Sequence, residues 1–148
     1  AQVLTVMGGL PVLIELKVDE TAGDIADRIA AGIHGLGGFF GVMSFDEPTV
    51  ARLCRLVTDR PVGLLAFAGQ DERETVRAKA MTARGLGCDY VAPHHSVLPV
   101  MQEAAGGLPM VTWTVRTPGE LELARKHGAG PIFEGFSPAL AMPTKTPI

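Results

Sequence analysis

Short apolar runs alternating with amphipathic, helix-like stretches constrain this chain more than any other feature. Runs at residues 11–17, 39–45, 62–67, 88–92, 110–115 and 131–134 recur roughly every 25 residues, the repeat of a βα unit. Each run is too short for a helix and is bounded by Gly, Pro or charged residues, which marks it as a strand. Serial βα organisation implies an α/β fold with a parallel sheet and right-handed crossovers. An open doubly wound sheet would fit six units, but no Gly-x-Gly-x-x-Gly or Walker A pattern follows any run. A complete (β/α)8 barrel needs two further units and roughly 250 residues.

The stretches between the runs carry helix signals. Residues 19–36 place Ala22, Ile25, Ile29, Ala30, Ile33 and Leu36 on one face, with Asp24, Asp27 and Arg28 opposite and glycines at 35, 37 and 38 as the stop. Asp46 offers an N-cap, with Glu47 and Pro48 in the first turn, to a helix buried through Val50, Leu53, Cys54, Leu56 and Val57. A charged helix over 72–84 has Val76, Ala80, Met81 and Ala83 as its apolar side, stopped by Gly85 and Gly87. A short helix over 97–105 ends at Gly106-Gly107. Thr117-Pro118-Gly119-Glu120 is a capping box with Pro at N1, opening a helix that ends at His127-Gly128. The tail, 137–148, holds three prolines and reads as extended or frayed. Val3, Leu4 and Met7, closed by Gly8-Gly9, are spaced like the end of an amphipathic helix. With Ala1 first rather than Met, they read as the tail of an element that begins upstream.

A chain of 148 residues, 47% hydrophobic, is expected to fold as a single domain over 1–148. A net charge of −3 and a pI near 5.8 argue against a nucleic-acid partner held by charge. No apolar run approaches the roughly 20 residues of a transmembrane segment, and no signal peptide is visible. Cys54 and Cys88 show no metal-ligand spacing and read as buried free thiols in a reducing compartment. That reading favours the cytoplasm, with the periplasm as the alternative.

The first run, 11–17, reads as a parallel strand buried on both faces. Glu15 and Lys17 stand two positions apart at its C-terminal end, so they project to the same side of the strand. That end is where α/β folds place their chemistry. The competing readings are a structural ion pair, or two charges emerging into water. His34, near a helix C-terminus, reads as a surface residue suited to the dipole. His94 and His95 follow the fourth run and read as structural or solvated.

The segments 13–17, 42–46 and 111–118, in that order and at these intervals, resemble the glycerophosphodiester phosphodiesterases. Segments 87–91 and 130–136 resemble the family too. The match runs over nearly the whole chain and corresponds to the third through eighth βα units of that barrel. The resemblance implies an incomplete TIM (β/α)8-type barrel and the hydrolysis of glycerophosphodiesters to glycerol 3-phosphate and an alcohol. It implies a divalent ion, Ca²⁺ or Mg²⁺, with Glu15 as a metal ligand. Lys17 is implied as a catalytic and substrate-binding residue that meets the phosphate. Trp113 is implied as a substrate-binding residue that packs against the glycerol or the leaving group; the other reading of Trp113 is core filler.

The family's His-Arg-Gly strand, its Glu-x-Asp metal pair and its His-Asp motif do not occur here. The closing strand ends in Glu134-Gly135, where many members have Thr-Asp, and Glu134 is a weaker candidate for the site. One carboxylate and no positioned histidine leave these residues short of the family's reaction. Open strand edges are expected to pair with further N-terminal strands or with another subunit in an oligomer. Two other readings follow: a truncated, non-catalytic barrel acting as a subunit or binding module, and, ranked last, a barrel lyase using Lys17 as a Schiff-base nucleophile.

Overall fold

The structure, a computed structural model, describes residues 2–18, 24–67 and 72–137. The start of the expected helix at 19–23, the turn at 69–71 and the tail from 138 lie outside the described residues. In chain order the elements are α1 (Gln2–Val6), β1 (Val12–Leu16), α2 (Ile25–Ile33), β2 (Phe40–Ser44), α3 (Glu47–Leu56) and β3 (Val62–Ala66). There follow α4 (Arg73–Leu86), β4 (Tyr90–Pro93), a 3₁₀ turn (His95–Val97), α5 (Leu98–Ala104), β5 (Met110–Val115), α6 (Pro118–Lys126) and β6 (Ala129–Phe133).

The six strands form one sheet in the order β1-β2-β3-β4-β5-β6, and every neighbouring pair is parallel. Each crossover therefore steps one strand further in the same direction. A doubly wound sheet would need a reversal of direction, so that alternative is excluded. The sheet curls into an incomplete (β/α)8-type barrel.

Alternation along each strand divides the apolar residues between two faces. The outer face, with Val42, Leu64 and Val91, packs against Val50, Leu53, Val76, Ala80 and Met101 of the helices. The inner face carries a separate cluster of Met43, Leu65, Tyr90 and Ala92, with Val111, Trp113 and Ile132 against it. Tyr90 fills much of the inner space. Its hydroxyl donates to the carbonyl of Val42 at 3.0 Å, and its ring lies over Gly63. Nearer the N-terminal ends of the strands the inner face opens into an apolar hollow of about 600 Å³. Leu13, Phe39, Gly41, Tyr90 and Val111 are among its walls.

Local signals were realised at the helix ends. Asp46 accepts from the Thr49 amide at 2.8 Å, and Thr117 and Glu120 form the reciprocal capping box of α6. Gly87, with φ of 75°, is the left-handed C-cap of α4. Gly85 lies inside α4 rather than ending it.

Three further expectations are corrected. Met81 is 67% exposed: it sits about 100° round α4 from buried Ala80, away from the sheet. Leu56 falls on the flank of α3 and is exposed. The first strand is parallel but not buried on both faces. Leu16 is covered by the outer core, whereas Leu13 on the inner face is 40% exposed, because β1 is an edge strand of the described sheet and no described residue walls it from that side.

Candidate active site at the C-terminal mouth

A parallel sheet brings the C-terminal ends of all its strands to one rim, so residues distant in sequence meet there. Glu15 is in register with Met43, an inner-face residue, and Lys17 has the same parity. Both are exposed. Neither side chain makes an ion pair or hydrogen bond among the described residues, so the reading of a Glu15–Lys17 ion pair is not borne out.

Ser44 fixes the backbone between them. Its hydroxyl donates to the Leu16 carbonyl at 2.8 Å and accepts from the Asp46 amide at 3.2 Å. One buried side chain thus ties the end of β1 to the turn after β2. Glu15, Lys17, Ser44, Phe45 and Asp46 border a cleft of about 530 Å³. Asp46 is occupied by its helix cap.

Beside this cleft stands a group of rings. Phe45 meets Trp113 edge to face at 5.5 Å between centroids. Phe67 meets His94 at 5.7 Å and Trp113 at 6.1 Å, and His94 meets Trp113 at 5.1 Å. Trp113 is half-buried, and it is held. Its Nε1–H donates to the Ala92 carbonyl at 2.8 Å, while Thr112 on the opposite side of β5 donates to the Pro93 carbonyl at 2.9 Å. These side-chain bonds take over where the β4–β5 ladder is short. Trp113 therefore both packs on the inner core and faces the mouth.

The Ser96 amide donates to Nδ1 of His94 at 3.3 Å, which leaves the proton of the neutral ring on Nε2. Burial holds the His94 pKa below the usual imidazole value, and the neighbouring His95 lowers it further. His94 is one member of the ring cluster and also lies near His95, at 4.1 Å between centroids. His95 Nε2 lies 3.6 Å from Glu120. Glu134 is exposed and pairs with Arg116 Nε at 2.5 Å.

Sequence reasoning placed Trp113 here but missed Phe45, Phe67 and the setting of His94. A signal was available. Each lies two residues beyond an inner-face residue of its strand, Met43, Leu65 and Ala92, and so has the same parity at the rim.

Among the described residues no group of three His, Cys, Asp or Glu is close enough to hold a metal ion. Glu15 offers the hard oxygen that Ca²⁺ or Mg²⁺ takes, but such ions need several oxygens. The described residues do not by themselves make that site.

The fold defined here is the parallel βα barrel with its candidate site at the C-terminal rim. Solved structures share it, among them the following three. One is a protein of Agrobacterium tumefaciens C58 assigned as a glycerophosphoryl diester phosphodiesterase, 21% identical, with a TM-score of 0.66 over 87% of this chain and 55% of its own. A second, from Silicibacter pomeroyi DSS-3 and assigned likewise, is 17% identical, with a TM-score of 0.67 over 89% and 50%. The third, a glycerophosphodiester phosphodiesterase from Parabacteroides distasonis, is 19% identical, with a TM-score of 0.61 over 84% and 51%. The chain spans about half the length of these structures. At such identities the likeness establishes the fold, and it is the fold that the sequence resemblance implied. No protein-family model matches the chain, and no curated sequence does. Among the described residues no helix is long and apolar enough to cross a membrane.

Proposed function

We propose that this chain supplies part of the catalytic barrel of a metal-dependent hydrolase that cleaves glycerophosphodiesters to glycerol 3-phosphate and an alcohol. The observation that carries the reading is the joint projection of Glu15 and Lys17 from the inner face at the rim, beside the ring cluster around Trp113. A carboxylate and an ammonium side by side suit a phosphodiester. Lys17 meets the phosphate and offsets the charge that develops as the ester bond breaks. Glu15 contributes one oxygen to a Ca²⁺ or Mg²⁺ site whose other donors lie outside the described residues. Trp113 and Phe45 offer carbon surface to the glycerol or the leaving alcohol.

The test is hydrolysis of glycerophosphocholine by the protein expressed from its whole reading frame, followed as released glycerol 3-phosphate. Ca²⁺- or Mg²⁺-dependent turnover, abolished by chelation, is expected. Absence of turnover with either ion overturns the proposal.

A second reading is favoured by the edge that β1 leaves uncovered among the described residues. In it the chain is a non-catalytic barrel fragment that acts as a subunit or binding module. Binding of a glycerophosphodiester without hydrolysis would support it.

A further inference from the structure

Far from the mouth, at the N-terminal end of the sheet, two sulfurs face each other. Cys54 lies in the last turns of α3, and Cys88 in the turn between α4 and β4. Their Sγ atoms are 4.0 Å apart. Cys88 is buried, and its amide is fixed by the Ala83 carbonyl at 3.0 Å as part of the α4 cap. The next residue is anchored too, since Asp89 exchanges hydrogen bonds with both backbone groups of Val62. Cys54 is only half-buried. It borders a groove of about 480 Å³ with Thr58, Asp59, Arg60 and Gly87. One thiol is thus reachable by a small molecule, and the other is held behind it.

We propose that Cys54 and Cys88 form a redox-responsive dithiol, a modification site for low-molecular-weight disulfides of the glutathione type. The Cys54 thiolate attacks one sulfur of the oxidant, breaks its S–S bond and releases one thiol. The Cys88 sulfur then attacks the Cys54 sulfur of the mixed disulfide, forms the intramolecular bond and releases the second thiol. The two protein protons leave on the two released thiols, the protein pair is oxidised and the oxidant reduced. The order of attack follows from access: Cys54 borders the groove, whereas Cys88 is buried behind it. The contact between the two thiols favours the same order, lowering the Cys54 pKa and, with burial, raising that of Cys88. The bond tethers α3 to the start of β4 and restricts the unfolded chain between them.

The test is equilibration of the 148-residue chain with mixtures of reduced and oxidised glutathione, in buffer and in denaturing urea, followed by acid quench and mass analysis. Folding that sets the sulfurs face to face must raise the effective concentration of one thiol toward the other. The native chain is therefore expected to exceed the urea value by at least about tenfold. A peptide map should join Cys54 to Cys88 within one molecule. Cys88→Ser should stop at a mixed disulfide on Cys54, and Cys54→Ser should take up no glutathione under native conditions. A native value equal to or below that in urea, or cross-links only between molecules, overturns the proposal.

Discussion

The ring of Tyr90 lies so close over Gly63 that a β-carbon at position 63 would fall 2.3 Å from it. The ring has no easy retreat, because its hydroxyl is bonded to the Val42 carbonyl and the side chain is buried inside the sheet. Burial, the first cause, and the nearby Cys88 and Asp89 also keep the phenol protonated well beyond neutral pH.

Gly63→Ala should therefore destabilise the fold by about 1–3 kcal/mol, the usual cost of overpacking a filled core. Urea unfolding would show it as a lower midpoint with an unchanged slope. Gly63→Ala combined with Tyr90→Leu should recover part of the loss, since the two positions share one space. An additive double mutant would contradict the packing described.

The α6 cap gives a second expectation. Thr117→Ala removes the side-chain acceptor of the Glu120 amide and should cost about 1 kcal/mol. Glu120 answers with pH. Hydrogen bonds from the Arg116 amide, the largest cause, and from Thr117 lower its carboxyl pKa from 4.5. A depressed folded pKa gives stability that is present above the unfolded value and is lost as pH falls through the folded value. Glu120→Gln should lower stability at neutral pH and flatten the profile below about pH 4.5, where the wild-type carboxylate gives up its contribution.

His94 should titrate below its free value of 6.5, and a histidine shift titration by NMR would show it. Because the folded state resists protonation, this residue favours folding above pH 6.5 and progressively less as pH falls through its folded pKa. His94→Gln should remove that part of the acid sensitivity. A His94 midpoint at or above 6.5 would contradict its burial among the rings.

For the proposed hydrolase, Lys17→Ala should lower kcat on the order of 10²-fold if the ammonium meets charge built only in the transition state. Glu15→Gln should weaken metal affinity and activity together. Trp113 is the single tryptophan, so its fluorescence reports the mouth directly. Titration with glycerophosphocholine should shift its emission, and Phe45→Ala should reduce the shift. Unchanged activity in both charge variants would remove Glu15 and Lys17 from the site.

What could be read from the sequence was what short-range chemistry decides. The Asp46 and Thr117 caps need only a side-chain oxygen and an amide three residues on, and both formed. The βα repeat needed only run length and boundaries. Long-range shape was less accessible. Met81 is hydrophobic and near the right period, yet nothing in its own helix says that the sheet lies on the other side. Gly85 and Gly87 look alike in sequence, and only the backbone turn at Gly87 distinguishes the cap. Phe45 and Phe67 are the last residues of the runs 39–45 and 62–67, but their meeting at Trp113 depends on strand order and curl. Glu15 and Lys17 could be placed on one side by parity, but that this side faces inward needed the register with Met43.

The hollow beside Tyr90 has walls of carbon and lies open to solvent. A dye such as ANS, which brightens when water is excluded, should lodge there while every strand is still in place. Such fluorescence commonly signals a molten globule. Here it would accompany an intact near-ultraviolet spectrum from the fixed Trp113 ring, and its quenching would report when something else fills that space.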